Sequence, residues 1–281
     1  MEPIRKQLSN PNLGQAFRTN TQAKKIRLDQ LLVDRGLTQT RTKAQALIIS
    51  GSVRVVDETR LSRGEVVITK PGTKVSQSLS ITLAPINRGC PYVSRGGVKL
   101  AGAIAQFNIE VRNKVALDIG ASTGGFTDCL LQRGCKKVYA IDVGYGQLDP
   151  KLRAHPQVNV RERTNARYLN PADFPERMDL AVIDVSFISL KKIFPAVVPL
   201  LKETAEIIAL VKPQFEIPKS VGKKKGGVVR DPKLREAAVR DIAEFATKLG
   251  LAVVGVVPSV LTGPAGNQEY FIYMKKKDSD G

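Results

Sequence analysis

The segment Val115 to Asp128, VALDIGASTGGFTD, limits what this chain can fold into more than any other. An apolar run ends in an acid, Asp118. A turn rich in glycine follows, with Gly120, Ser122, Gly124 and Gly125, and Phe126 opens a helix-like stretch. A second apolar run, VYAID, ends in Asp142. The layout is strand, tight turn, helix, with an acid at the tip of the next strand. An α/β sheet holds a nucleoside cofactor this way: glycines let the backbone come close to the ligand, and an acid takes ribose hydroxyls. The spacing is not G-x-G-x-x-G, which disfavours a plain dinucleotide site. A buried turn without a ligand is the plainer alternative.

The chain on the C-terminal side keeps the same alternation. Helical spacing runs over Lys99–Phe107, Phe126–Gln132 and Leu190–Leu201. Strand-like runs cover Val115–Ile119, Lys137–Ile141, Val158–Arg161, Leu180–Asp184 and Ala205–Val211. Asp231 and Pro232 should cap a helix whose stripe is Leu234, Ala238, Ile242, Phe245 and Leu249, with Gly250 as its stop. Leu251–Val257 and Glu269–Met274 have no helix between them and should pair as an antiparallel hairpin. Strands alternating with helices mean a largely parallel sheet covered on both faces.

The front of the chain differs in charge and pattern. Of 281 residues, 44 are Lys or Arg and 26 Asp or Glu, a net +18. Residues 1–100 hold 17 of the bases and only 6 of the acids. Residues 1–25 lack apolar periodicity and should be disordered. Leu28, Leu31 and Leu32 then stand at helical spacing up to Gly36. Thr40 can cap a second helix with Ala44, Leu47 and Ile48 inward, and Gly51 stops it. Short β segments SVRVV, EVVI and SLSITL follow. Arg27, Arg35, Arg41, Lys43 and Arg54 remain for one exposed face, which suits a polyanion such as nucleic acid. Residues 85–96, with two prolines and two glycines, read as a linker.

No apolar run approaches a membrane span, and no secretory leader follows the N-terminus, so a cytoplasmic protein without stable membrane insertion is expected. Cys90, Cys129 and Cys135 are odd in number and lack metal spacing, and His155 is the single histidine, so no metal site is expected. Lys223 to Lys225 should form a basic loop rather than a P-loop, since no G-K-[ST] helix start follows a strand there.

Ligands in an open α/β sheet bind beyond the carboxyl ends of its strands. Asp118, Asp142, Asp184 and Lys212 all end apolar runs. Asp184 and Lys212 should therefore be neighbours. Burial would lower the lysine's pKa and a carboxylate would raise it; a lysine poised to lose its proton can act as a general base. A salt-bridged strand end is the plainer alternative. Neither D/N-P-P-Y/F, as base N-methylation would need, nor a cysteine after Cys135, as cytosine C5 chemistry would need, is present.

Several motifs carry a resemblance to known families. RLDQLLVDRGLTQTRTKAQALIISGSVRV resembles the S4 RNA-binding domain over about residues 26–84. The loop G-x-S-x-G-G after Asp118 resembles that of class I methyltransferases. Lys99 in SRGGVKL, Asp184 in DVSFISL, Lys212 in LVKPQFE and Glu269 in GNQEYF resemble the K-D-K-E tetrad of FtsJ-like ribose 2′-O-methyltransferases. Together they resemble the TlyA family, known as hemolysin A or as 16S/23S rRNA 2′-O-methyltransferases. The resemblance implies a small α+β S4 domain in front of a seven-stranded, Rossmann-like class I methyltransferase domain at 97–277. It implies S-adenosylmethionine at Asp118, Gly120, Ser122, Gly124, Gly125, Phe126 and Asp142, and ribosomal RNA in ribosomal subunits as partner. It implies that Lys212 takes or weakens the proton of a cytidine ribose hydroxyl while Asp184 orients it, that Lys99 and Glu269 position the ribose, and that the linker around Cys90 to Arg95 helps shape the cofactor site; Arg95 is expected to contact RNA or the cofactor carboxylate. A membrane-active hemolysin and a non-catalytic ribosome assembly factor are the alternatives.

Overall fold

The computed structural model describes residues 25–56, 65–83, 90–218 and 227–276. The expectations for the N-terminal extension, for Lys223 to Lys225 and for the first half of the linker lie outside the described residues.

The chain opens with β1 (Lys25–Arg27), α1 (Leu28–Asp34) and α2 (Arg41–Ile49). Thr40 caps α2 by accepting from the Lys43 amide, as expected. Strands β2 (Val53–Val56), β3 (Glu65–Val67), β4 (Lys74–Ser76) and β5 (Ser80–Leu83) follow. β2 lies between β3 and β5, and β1 pairs with β4. Leu28, Leu31, Leu32, Ala44, Ile48, Val53 and Val55 share one core. β1 and β4 escape the sequence reading because each is three residues long with mostly polar faces.

The remainder is a seven-stranded sheet. In chain order come α3 (Arg95–Phe107), β6 (Val115–Ile119), α4 (Gly125–Gln132), β7 (Lys137–Ile141), α5 (Pro150–Arg153), β8 (Val158–Arg161) and β9 (Met178–Ile183). Then come α6 (Phe194–Val197), β10 (Leu201–Val211), α7 (Pro213–Glu216), α8 (Pro232–Lys248), β11 (Leu251–Pro258) and β12 (Tyr270–Lys276). The strand order is β11-β12-β10-β9-β6-β7-β8. β12 runs antiparallel to both β10 and β11, so the expected hairpin forms and its second strand enters the sheet.

Both faces are covered, and the sequence shows why. Successive residues of a strand point to opposite faces. Ile207, Ala209 and Val211 of β10 join the core under α6 and α8; Ile208 and Leu210 join the one under α3 and α4. Such strands must be apolar throughout, as IIALV is. The expected helix over Leu190–Leu201 is corrected. It is a 3-10 turn at Leu190–Lys192, one α-helical turn at Phe194–Val197 and a second 3-10 turn at Val198–Leu200. Pro195 and Pro199 lack the amide that a continuous helix needs, and β10 begins four residues earlier than its apolar run.

Candidate active site

All residues of β6 are buried, and the chain turns sharply as it leaves the sheet. Gly120 has φ +84°, and a Cβ there would lie 2.4 Å from the Asp184 carbonyl oxygen. The loop is pressed against the end of β9, and only glycine fits. Asp142, past the end of β7, accepts hydrogen bonds from the Ser122 amide (2.8 Å) and the Gly144 amide (2.7 Å). It thereby fixes the loop from the side.

Asp118 is fully buried beneath that loop. Its Oδ2 accepts from Thr127 Oγ1 at 2.6 Å, and its Oδ1 has no partner. Burial pushes its pKa up to about 7; the Thr127 hydrogen bond opposes this, and the charges of Asp184 and Asp142 add to it.

Beyond the carboxyl ends of the strands lies a cavity of about 300 Å³. Lys99, Asp184, Lys212 and Glu269 all line it. They form two lysine–carboxylate pairs. Lys99 Nζ lies 2.5 Å from Glu269 Oε2, joining α3 to the start of β12 across 170 positions of sequence. Lys212 Nζ lies 2.5 Å from Asp184 Oδ1, joining the ends of β10 and β9, and donates to Ser186 Oγ at 2.9 Å.

Burial acts to lower the Lys212 pKa, but the charges of Asp184 and Glu269 and the Asp184 contact outweigh it, and the net shift is upward. Of the two opposed effects expected at Lys212, that of the carboxylates together is the larger, and in the free protein Lys212 is an ammonium group.

The same cavity is lined by Gly120, Ser122, Gly125 and Phe126 of the loop, but not by Asp118, Gly124 or Asp142, which lie beneath or beside it. The fit to a nucleoside cofactor rests on the close approach at Gly120 and on the orphaned, buried Asp118 oxygen. Sequence reasoning missed Ser186, since one serine in a loop has no periodicity. It also missed a pair of rings in the cavity wall. Phe187 and Phe215 have centroids 5.0 Å apart, and Phe187 is 60% exposed with φ +66°. A bulky residue held in the left-handed region with its ring in solvent is costly and marks function.

Arg27, Arg35, Arg41, Lys43 and Arg54 are exposed, as expected, but several are anchored. The fully buried Asp29 accepts from Arg27 (3.0 and 2.8 Å), Arg41 Nε (3.1 Å) and Gln45 (2.9 Å). Arg35 donates to the carbonyls of Leu79 and Gln77. Lys43 Nζ donates to Gln39 Oε1 at 3.0 Å. Arg95, at the head of α3, lines the cavity and donates to the Thr262 carbonyl at 3.2 Å. Among the described residues no group of three or more His, Cys, Asp or Glu side chains is placed to hold a metal ion.

A sheet of this order, covered by helices and opening its cavity beyond the carboxyl ends of its strands, is the fold of the Rossmann-like methyltransferases. The family model of FtsJ-like methyltransferases matches residues 92–276, and the chain belongs to that family. It is 46% identical over 254 residues to the 16S/23S rRNA (cytidine-2′-O)-methyltransferase TlyA of Mycobacterium tuberculosis, covering 90% of this chain and 91% of that one. It is 39% identical over 249 residues to hemolysin A of Brachyspira hyodysenteriae, covering 88% and 99%. A solved hemolysin structure from Streptococcus thermophilus superposes with a TM-score of 0.66 at 40% identity, covering 92% of this chain and 90% of that one.

Proposed function

We propose that this chain is an S-adenosylmethionine-dependent ribosomal RNA methyltransferase that modifies the ribose 2′-hydroxyl of cytidine. The observation that carries the reading is the convergence of Lys99–Glu269 and Lys212–Asp184 on one cavity beside the Gly120–Phe126 loop. The likeness to the TlyA enzymes supports the same substrate, with which the protein works in the cytoplasm.

The cofactor supplies an electrophilic methyl group on a sulfonium; Gly120, Ser122, Gly125 and Phe126 are placed to hold it. The chain's own residues prepare the acceptor. The Lys212 ammonium has three N–H donors. One faces Asp184 and one Ser186, which leaves one for a ribose oxygen. With its pKa raised, Lys212 serves as a fixed positive charge that stabilises the ribose oxygen while the hydroxyl proton passes to solvent water, rather than as the base that takes that proton. Asp184 keeps it charged and aimed. Lys99 and Glu269, locked to each other, position the sugar. Phe187 and Phe215 offer aromatic faces to a base held out of its stack.

The test is mass spectrometry of nucleosides from unmethylated 30S and 50S subunits incubated with the protein and S-adenosylmethionine. New 2′-O-methylcytidine is expected. Lys212→Ala should lower the yield by at least about 100-fold, the cost of removing a preorganised donor, with cofactor affinity unchanged. Full activity in this variant would refute the assignment. The hemolysin name carried by relatives has no counterpart in a spanning helix: no described helix is long and apolar enough to cross a membrane.

A further inference from the structure

The cavity has walls from both ends of the chain. Ile49, Ser50, Ser52 and Thr69 of the N-terminal module line it together with Thr262 to Ala265 of the β11–β12 connection. The two walls meet at one tight contact. Gly51 ends α2 with φ +76°, and a Cβ on it would lie 2.4 Å from Pro264 Cβ and 3.3 Å from Pro264 Cα. The module reaches the methyltransferase domain this closely because position 51 has no side chain.

Two hydroxyls stand side by side on this wall. Ser50 Oγ lies 3.0 Å from the Leu47 carbonyl oxygen and can donate to it. The Ser50 and Ser52 hydroxyls are 2.8 Å apart, and either can donate to the other. With the Ser50 proton on Leu47 and the Ser52 proton on Ser50, the lone pairs of the two oxygens remain for a donor. Among nucleotide edges the cytosine N4 amino group is a donor, where uracil presents an acceptor.

We propose that the N-terminal module is a wall of the acceptor site itself: Gly51 seated on Pro264 holds Ser50 and Ser52 against the RNA nucleotide delivered to Lys212, where they accept from its base amino group. The inference rests on the reading of the cavity as the site of ribose methylation. On this view the module is more than a tether for RNA, because the site is incomplete until it is docked.

The experiment compares two glycines of the same module. Gly36 and Gly51 both have positive φ at the end of a helix, but a Cβ at Gly36 would meet nothing within 4 Å. Alanine brings similar local strain at either position; only at Gly51 does it also strike Pro264. Gly51→Ala should lower kcat on unmethylated subunits by about tenfold or more, as misplacement of about 1 Å does in other enzymes. Its affinity for S-adenosylmethionine, measured by calorimetry, should stay within about twofold of wild type, because no cofactor-loop residue moves. Gly36→Ala should retain kcat. Gly51→Ala combined with Pro264→Gly should recover most of the loss. Ser52→Ala should lower kcat/KM for a cytidine target and narrow the preference for cytidine over a uridine-substituted target.

Equal losses in the two glycine variants, or wild-type kcat in Gly51→Ala, would overturn the inference. Lys212→Ala keeps the two readings apart: an inactive Lys212→Ala beside a fully active Gly51→Ala removes the shared wall and leaves ribose methylation standing.

Discussion

Among the described residues two aspartates are completely buried, one in each half, and their surroundings are opposite. Asp29 sits among Arg27, Arg41 and Gln45. Burial alone would raise its pKa, but these hydrogen bonds more than reverse that and hold the carboxyl well below the usual carboxylate range. Asp118 has one hydroxyl partner, an empty-handed second oxygen and two other carboxylates nearby, and it is pushed up to about 7. A buried acid with all its partners builds structure. A buried acid left short of partners lowers stability and marks a place kept for binding. The N-terminal module has organised its charge internally, while the methyltransferase domain has left its charge open to a ligand.

The largest stability effect should come from removing the satisfied acid. Asp29→Ala leaves two guanidiniums and an amide converging on nothing. Since the arginine side chains are 46% and 49% exposed, water recovers part of their loss. A destabilisation of about 2–3 kcal/mol is expected, below the range for fully buried pairs, and should appear as an earlier unfolding step of the N-terminal module in calorimetry. A melting profile identical to wild type would show the cluster to be ornamental.

The opposite result is expected for the unsatisfied acid. The Asp118 pKa is raised in the folded state, so its contribution is fully present below the unfolded pKa of about 4 and is lost as pH rises towards about 7. Asp118→Asn removes that loss. The variant should gain on wild type progressively between about pH 4 and pH 7 and then hold a constant lead of about 2 kcal/mol, reduced by the orphaned amide it introduces. Its cofactor affinity should fall at the same time. Denaturant titrations at several pH values give the first quantity and calorimetry the second. A variant less stable at pH 8 than at pH 5 relative to wild type would reverse the comparison.

How much of this was legible in the sequence follows the range of the interactions. The β6 loop and the tips of β7, β9 and β10 could be read because an acid or lysine ending an apolar run is a local pattern. Chain order then places those tips at one end of a parallel sheet. Lys99 and Glu269 do not end apolar runs, and only their motif pointed to them. The paired prolines at 195 and 199 were visible but outweighed by helical spacing. Asp29 was written in RLD, yet nothing local says that it gathers Arg41 and Gln45 from the next helix. The sequence therefore gives an exposed basic face but not the anchoring of Arg27, Arg35 and Arg41 upon it. Ser186, Phe187 and the seating of Gly51 on Pro264 depend on tertiary placement, which no spacing records.

The smallest effect separates anchored from unanchored cations. Arg27 and Arg41 are held in place by the buried Asp29, whereas Lys43 donates to the exposed Gln39 of the preceding turn. Lys43→Gln should leave stability within about 0.5 kcal/mol, as for other exposed side chains. If Lys43 meets one phosphate, the slope of log affinity for RNA against log salt should become shallower by about 0.7–0.9. Arg41→Gln should change that slope by a similar amount but also lower stability, since it takes one partner from Asp29. A Lys43 variant that melts early, or an Arg41 variant that does not, would place the organising role on the lysine and undo the contrast between a module that has settled its charges and a site that has not.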